Sequence, residues 1–232
     1  MATDSERLNK YIALHAGLSR RAADELIEAG KVAVNGVPAQ LGGRVAATDT
    51  VQIDGTPLDH IHQKTYLLFH KPIGYVCSRR QQGDAPTIYS LLPEKYHALK
   101  PVGRLDKDSS GIILLTNDGD FAHHMTHPSF HKQKTYEVTL ASDLEPLHQQ
   151  MISDHGIQLD DGASKLHLER LSDASRTDWR ITMHEGRNRQ IRRTFAALGY
   201  SVTTLHRTQF GKYALGDIAV GKFEAVDISP HA

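Results

Sequence analysis

An α+β fold in two domains is what this sequence predicts, and three observations carry it. Residues 7–29 hold two segments with helical spacing, followed by short apolar pieces around Asn35-Gly36. A polar connector, residues 57–63 with His60 and His62, then interrupts the pattern. Beyond it, short strand-like runs are interspersed with short helical ones. The boundaries expected are residues 1–60 and 61–232. A chain of 232 residues has room for one large or two modest domains.

In the first domain, Leu8, Tyr11 and Ile12 fall on one side of a helix expected over 7–16, which Gly17 breaks. Ser19 is placed to cap a second helix over 20–29, with Gly30 as its stop. Arg20 and Arg21 then sit in its first turn, where the macrodipole disfavours cations by about 0.3–1 kcal/mol each. Either solvent screens that cost, or the two arginines meet an anion such as RNA phosphate. Short strands are expected at 31–34 and 51–53, and Asn35-Gly36 is a strong hairpin signal.

In the second domain, residues 65–70 start a strand that Lys71-Pro72-Ile73-Gly74 turns. Residues 87–92 suggest a short helix, and Ile112 to Thr116 a buried strand closed by Asn117-Asp118-Gly119. A short helix over 120–125 precedes a strand over 134–140, whose residues alternate and favour strands. A helix is expected over 144–152, then strands at 166–171 and 178–183. Ile191, Phe195 and Leu198 form an apolar stripe on a helix that Gly199 ends. Strands at 202–206 and 210–213 complete the domain.

Composition excludes some classes. Hydrophobic residues are 39% and charged residues 23%, ordinary for a globular protein. The single cysteine, Cys77, allows no internal disulfide and favours the cytoplasm. No apolar run reaches the length of a membrane span. The formal net charge of zero hides a basic stretch at 186–212, with Arg187, Arg189, Arg192, Arg193, Arg207 and Lys212 and no acid. A complementary stretch, 143–178, carries eight acids against three bases. Nucleic acid binding would therefore rest on local clusters. His123 and His127 have a spacing that can bind zinc, but no H-E-x-x-H frame or cysteine supports it, and no metal is expected.

The chemistry is expected in the stretch Gly103-Arg104-Leu105-Asp106-Lys107-Asp108-Ser109-Ser110-Gly111. It is a charged turn beside the buried strand, so Asp106 is positioned rather than free. One reading is a polar turn whose aspartates bond the local backbone. A calcium loop fits at Asp106, Asp108 and Ser110-Gly111 but needs a glutamate where Asn117 stands. The third reading is a nucleophile or acid–base site.

The run GRLDKDSSGIILLTNDG resembles the signature of the RsuA/RluB/RluE/RluF family of ribosomal RNA pseudouridine synthases. The KPIG turn, KTY at 134–136 and EGRNRQIRR at 185–193 extend the likeness, and SRRAADELIEAGKVAVNG at 19–36 is similar to an S4 RNA-binding domain. The resemblance implies a small S4 domain, then a catalytic domain built on a mixed, mainly antiparallel sheet with flanking helices. Asp106 would be the catalytic aspartate, Tyr136 would lie against the target base, and Arg192 would pair with Asp106. Arg7, Arg20, Arg21, Arg104, Arg187, Asn188, Arg189 and Arg193 would bind RNA. The implied reaction isomerises a uridine of ribosomal RNA, with 23S RNA favoured over 16S, by a cytoplasmic monomer without cofactor. A non-catalytic S4-type assembly factor is the main alternative. A glycosidase using Asp106 and Asp108 is another, but two carboxylates in one turn need not span a sugar.

Overall fold

The structure, a computed structural model, describes residues 5–58, 64–79 and 83–228. It has two compact units, one spanning the chain to Thr65 plus Asn117–Gly119, the other Tyr66–Thr116 plus the chain from Asp120 onward. Of the expected connector, Pro57 closes a strand, while 59–63, including His60 and His62, lie outside the described residues.

The first unit runs β1 (Ser5–Arg7), α1 (Leu8–His15), α2 (Arg20–Glu28), β2 (Val32–Val34), β3 (Val37–Pro38), β4 (Arg44–Ala46), β5 (Val51–Ile53) and β6 (Thr56–Pro57). Leu8, Tyr11 and Ile12 of α1 pack with Ala23 and Ile27 of α2 and with Val32, Val45 and Val51. The Ser19 Oγ accepts the Ala22 N–H at 3.0 Å and caps α2 as expected. Asn35 and Gly36, both at positive φ, turn β2 into β3. The strands form an antiparallel sheet ordered β3-β2-β5-β6 and a separate β1-β4 pair.

The second unit begins with β7 (Tyr66–Lys71), β8 (Lys100–Val102), β9 (Ser110–Thr116), α3 (Gly119–Thr126) and β10 (Lys134–Leu140). Then follow α4 (Pro146–Gln150), β11 (Ile157–Leu159), β12 (Gly162–Ser164), β13 (His167–Arg170), β14 (Asp178–Met183) and α5 (Gln190–Ala196). The chain closes with β15 (Val202–Phe210), β16 (Tyr213–Ala214) and β17 (Phe223–Ala225). The main sheet is ordered β13-β14-β10-β15-β9-β7-β17. Its pairs are antiparallel except β15 with β9. The fold is α+β with a mixed, mainly antiparallel sheet.

Both faces of β7 and β9 are covered, which explains their unbroken apolar runs. Leu67, Phe69, Ile113 and Leu115 join the large core with Val138, Trp179, Ile181 and Phe195. Leu68, Ile112 and Leu114 join a second cluster with Val102, Met125 and Phe210. Several expectations are corrected in detail. The helix expected over 144–152 starts at Pro146 and runs on to His155, because Met151–His155 continues α4 as a π-helical turn before Gly156. The short helix expected over 87–92 is a 3₁₀ turn at Ile88–Leu91. Of the strands expected at 202–206 and 210–213, the first runs on to Phe210 as the nine-residue β15, with Arg207 buried in mid-strand, and a turn at 211–212 leads into β16 at Tyr213.

Candidate active site

Asp106 lies in the loop between β8 and β9, and three devices hold that loop. The Lys71 ammonium at the end of β7 donates to the carbonyls of Asp106 at 2.9 Å, Ser109 at 2.6 Å and Pro72 at 3.0 Å. The Gly74 N–H donates to the Lys107 carbonyl at 2.7 Å, so the KPIG turn is clasped to the loop. The Ser109 N–H closes the loop on the Asp106 carbonyl at 3.1 Å. Lys71 is fully buried, and burial is the chief cause that pulls its pKa down. At the loop's exit, Gly111 sits at φ +111°, where a Cβ would overlap the Arg207 backbone of the parallel neighbour β15.

Asp106 lines a cavity of about 590 Å³ together with Arg104, Lys134, Tyr136, Leu205 and Arg207. Tyr136 comes from β10, where its register faces Ile181 on one side and Arg207 on the other. Its ring is 8% exposed, so the side chain forms wall rather than surface. Asn188 and Arg189 reach the cavity from the turn before α5. Arg189 stands in the left-handed region at φ 46° and precedes the helix.

The arginines are shared unequally between the two aspartates. Arg189 grips Asp108 with both terminal nitrogens, at 3.0 and 3.1 Å, and touches Asp106 at 3.5 Å. Arg192 was expected to pair with Asp106; its partners are instead Asp108 and backbone. Its Nε lies 3.3 Å from an Asp108 carboxylate oxygen, and its terminal nitrogens donate to the Asp108 carbonyl at 2.8 Å and the Val202 carbonyl at 2.7 Å. The reason is placement: Arg192 lies within α5 and is not among the residues that line the cavity, while Arg189 precedes the helix and lines it. The Arg189 fork, then the charge of Arg192, holds the Asp108 carboxyl below the ordinary carboxylate range. Asp108 is thus tied down, while the Asp106 carboxylate has one looser ionic contact and faces the cavity.

The remaining basic residues divide. Arg187 donates to the Asp161 carboxylate and to the carbonyls of Asp161, Gly162 and Ala163, bracing the β11–β12 hairpin. Arg193 forks the same Asp161 carboxylate at 3.1 and 2.7 Å. The acidic stretch therefore serves partly as counter-ion to the basic one. Arg104 is exposed at the cavity. In the first unit Arg7, Arg20 and Arg21 are exposed, and Arg20 donates to Asn9 Oδ1. His123, His124 and His127 surround the exposed Phe130 ring, with centroids 4.1 to 6.2 Å from it. Among the described residues, no group of three or more His, Cys, Asp or Glu is placed to hold a metal ion. Sequence reasoning passed over Lys71 and Arg207 as site residues.

Comparison with known proteins gives the family. Residues 65–197 match the RNA pseudouridylate synthase family, and residues 6–51 match the S4 domain. The chain is 37% identical to ribosomal large subunit pseudouridine synthase B of Bacillus subtilis, over 97% of this chain and 93% of that one. It is also 37% identical to ribosomal small subunit pseudouridine synthase A of Pasteurella multocida, over 95% of each. A crystal structure of a pseudouridylate synthase superposes with a TM-score of 0.68 at 33% identity, covering 95% of this chain and 96% of that one. The chain belongs to the RNA pseudouridylate synthase family.

Proposed function

We propose that this protein isomerises a uridine of ribosomal RNA to pseudouridine, with Asp106 as the catalytic carboxylate. The observation that carries the reading is Asp106 itself: a carboxylate on a backbone-locked loop, facing a cavity walled by Tyr136. The target uridine leaves its stack to enter that cavity. Tyr136 packs against the base, a contact of the kind that contributes roughly 1–3 kcal/mol. Asp106 then attacks C1′ or takes a proton from the sugar while the C1′–N1 bond breaks. The base turns, and C5 bonds to C1′. Arg189, 3.5 Å from Asp106, orients the carboxylate for either route. Arg192 acts one step back by fixing Asp108 and the loop. The reaction is an isomerisation, so it needs no oxidant or reductant.

Residues 1–60 serve as the RNA-docking domain and residues 61–232 as the catalytic domain. Arg7, Arg20 and Arg21 on the first and Arg104, Asn188 and Arg189 on the second meet RNA, with salt-sensitive affinity. Arg187 and Arg193 contribute less, because Asp161 already neutralises them. The two relatives named above are at equal identity yet carry names for different ribosomal subunits, so ribosomal RNA is the substrate class. A cytoplasmic monomer fits a chain with one cysteine, Cys77. Among the described residues no helix is long and apolar enough to cross a membrane.

The test is release of tritium from ribosomal RNA labelled at uridine C5. The wild-type protein is expected to release label, and Asp106→Ala to abolish release with RNA affinity nearly unchanged. Turnover retained by Asp106→Ala would reject the assignment, and RNA binding without release by the wild type would favour an assembly factor.

A further inference from the structure

Arg207 is a charge that the sheet buries with no carboxylate partner among the described residues. It lies in mid-β15, opposite Tyr136 of β10 and Gly111 of β9, and is 2% exposed. Its Nε donates to the Ile112 carbonyl at 2.9 Å. The guanidinium carbon lies 4.8 Å from the centre of the Phe210 ring. Its Nη2 is shielded from solvent and has no acceptor among the described residues. The acids of the site are engaged elsewhere: Asp106 and Asp108 with Arg189, Asp161 with Arg187 and Arg193. Lys71, the other buried cation of the site, gives its hydrogen bonds to three carbonyls. Lys134 adds a further positive charge, its ammonium 5.4 Å from the same Phe210 ring and in the same cavity wall.

Burying an ion without a counter-ion is expensive, and removing a partner from a buried charge is among the most destabilising changes known. A buried cation that lines a reaction cavity and lacks an acceptor calls for an explanation in the chemistry of that cavity. The cavity that Arg207 lines is the one into which Asp106 and Tyr136 also project. The missing acceptor is therefore to be sought in the substrate, at the moment it becomes negative.

We infer that Arg207 forms an anion subsite that receives the detached pyrimidine. The inference rests on the reaction proposed above. When C1′–N1 breaks, its electron pair stays with the base, which becomes a uracil anion with charge over N1 and the two carbonyl oxygens. This holds whether Asp106 bonds to C1′ or takes the C2′ proton. The C5 pair then forms the bond to C1′, the C5 proton goes to solvent, N1 regains a proton, and Asp106 is restored. Only the anionic interval calls on Arg207. Phe210 beneath the guanidinium and the Ile112 carbonyl at its Nε keep it fixed, so little reorganisation accompanies the charge.

The test uses the full chain, single-turnover conditions and two ribosomal RNA transcripts, one with tritium at uridine C5 and one carrying 5-fluorouridine. Scission of the second is read as loss of 5-fluorouridine from nuclease digests. The fluorinated base leaves as a weaker base and needs less help from a cation. Arg207→Met is expected to slow tritium release about 100-fold, the size of losing one preorganised donor, with RNA affinity nearly unchanged. Its loss on 5-fluorouridine should be clearly smaller, and Arg207→Lys should recover part of both rates. Equal losses on the two substrates, or wild-type rates in folded Arg207→Met, would overturn the inference. If Arg207→Met does not fold, the same comparison in Arg207→Lys decides. Absence of release by the wild type would instead refute the proposed function.

Discussion

Lys71→Met isolates the device that positions Asp106. The side chain is 0% exposed, and its ammonium holds three carbonyls, of Pro72, Asp106 and Ser109. Methionine preserves the length and removes the donors. Each carbonyl left bare in the interior costs about 1–3 kcal/mol, or roughly 3–9 kcal/mol for three before the loop relaxes. Removing a buried ammonium recovers several kcal/mol of desolvation. The difference, on the order of a few kcal/mol at most, is a large part of a typical domain's stability. The loop would relax by moving the Asp106 backbone, and a displacement near 1 Å costs about 100-fold in rate. Urea unfolding should show the destabilisation, and single-turnover tritium release should fall by about 10- to 100-fold in molecules that remain folded. RNA affinity should hold. A variant with full stability and full turnover would show that the loop is held by other means, and the positioning argument would fail.

Three further predictions concern Arg189, Arg192 and Asp108. Arg189→Gln should lower turnover while changing stability by about 1 kcal/mol or less, because its ion pairs are half-exposed. Arg192→Gln should do the reverse in emphasis, costing about 1.5–3 kcal/mol through the lost bonds to the Asp108 and Val202 carbonyls. Comparing tritium release with urea midpoints separates the two. Asp108 has a folded-state pKa below its unfolded value of about 3.9, chiefly from the Arg189 fork. Its stabilisation is therefore present above pH about 4 and lost as pH falls through the folded pKa. Asp108→Asn should be less stable than wild type at pH 7, and the gap should close on acidification. A gap that widens toward pH 3 would contradict the sign.

The parts legible in the sequence were those set by local pattern. The apolar run of β9, the alternation of β10 and β14, the Ser19 cap and the Asn35-Gly36 hairpin depend on residues close together in the chain. Asp106 was singled out by the likeness of its loop to a family signature; the charged turn against a buried strand by itself left a polar turn, a calcium loop and a reactive carboxylate open. What stayed hidden depends on distant partners. Lys71 looked like part of a turn, because its targets lie 35 and 38 residues away. Arg207 counted only as one of a basic stretch, since nothing local distinguishes a buried guanidinium from an exposed one. The exchange of roles between Arg189 and Arg192 turns on a left-handed residue just before α5, which spacing does not specify. The β11–β12 hairpin escaped because its short strands are pinned by Arg187 from outside.

Mapping of pseudouridines tests the central claim most directly: ribosomal RNA from cells with the intact gene, without it, and with Asp106→Asn in its place. The account predicts a position that is pseudouridine with the intact gene and uridine in the other two. An unchanged map in the deletion strain, or full modification with Asp106→Asn, would contradict it.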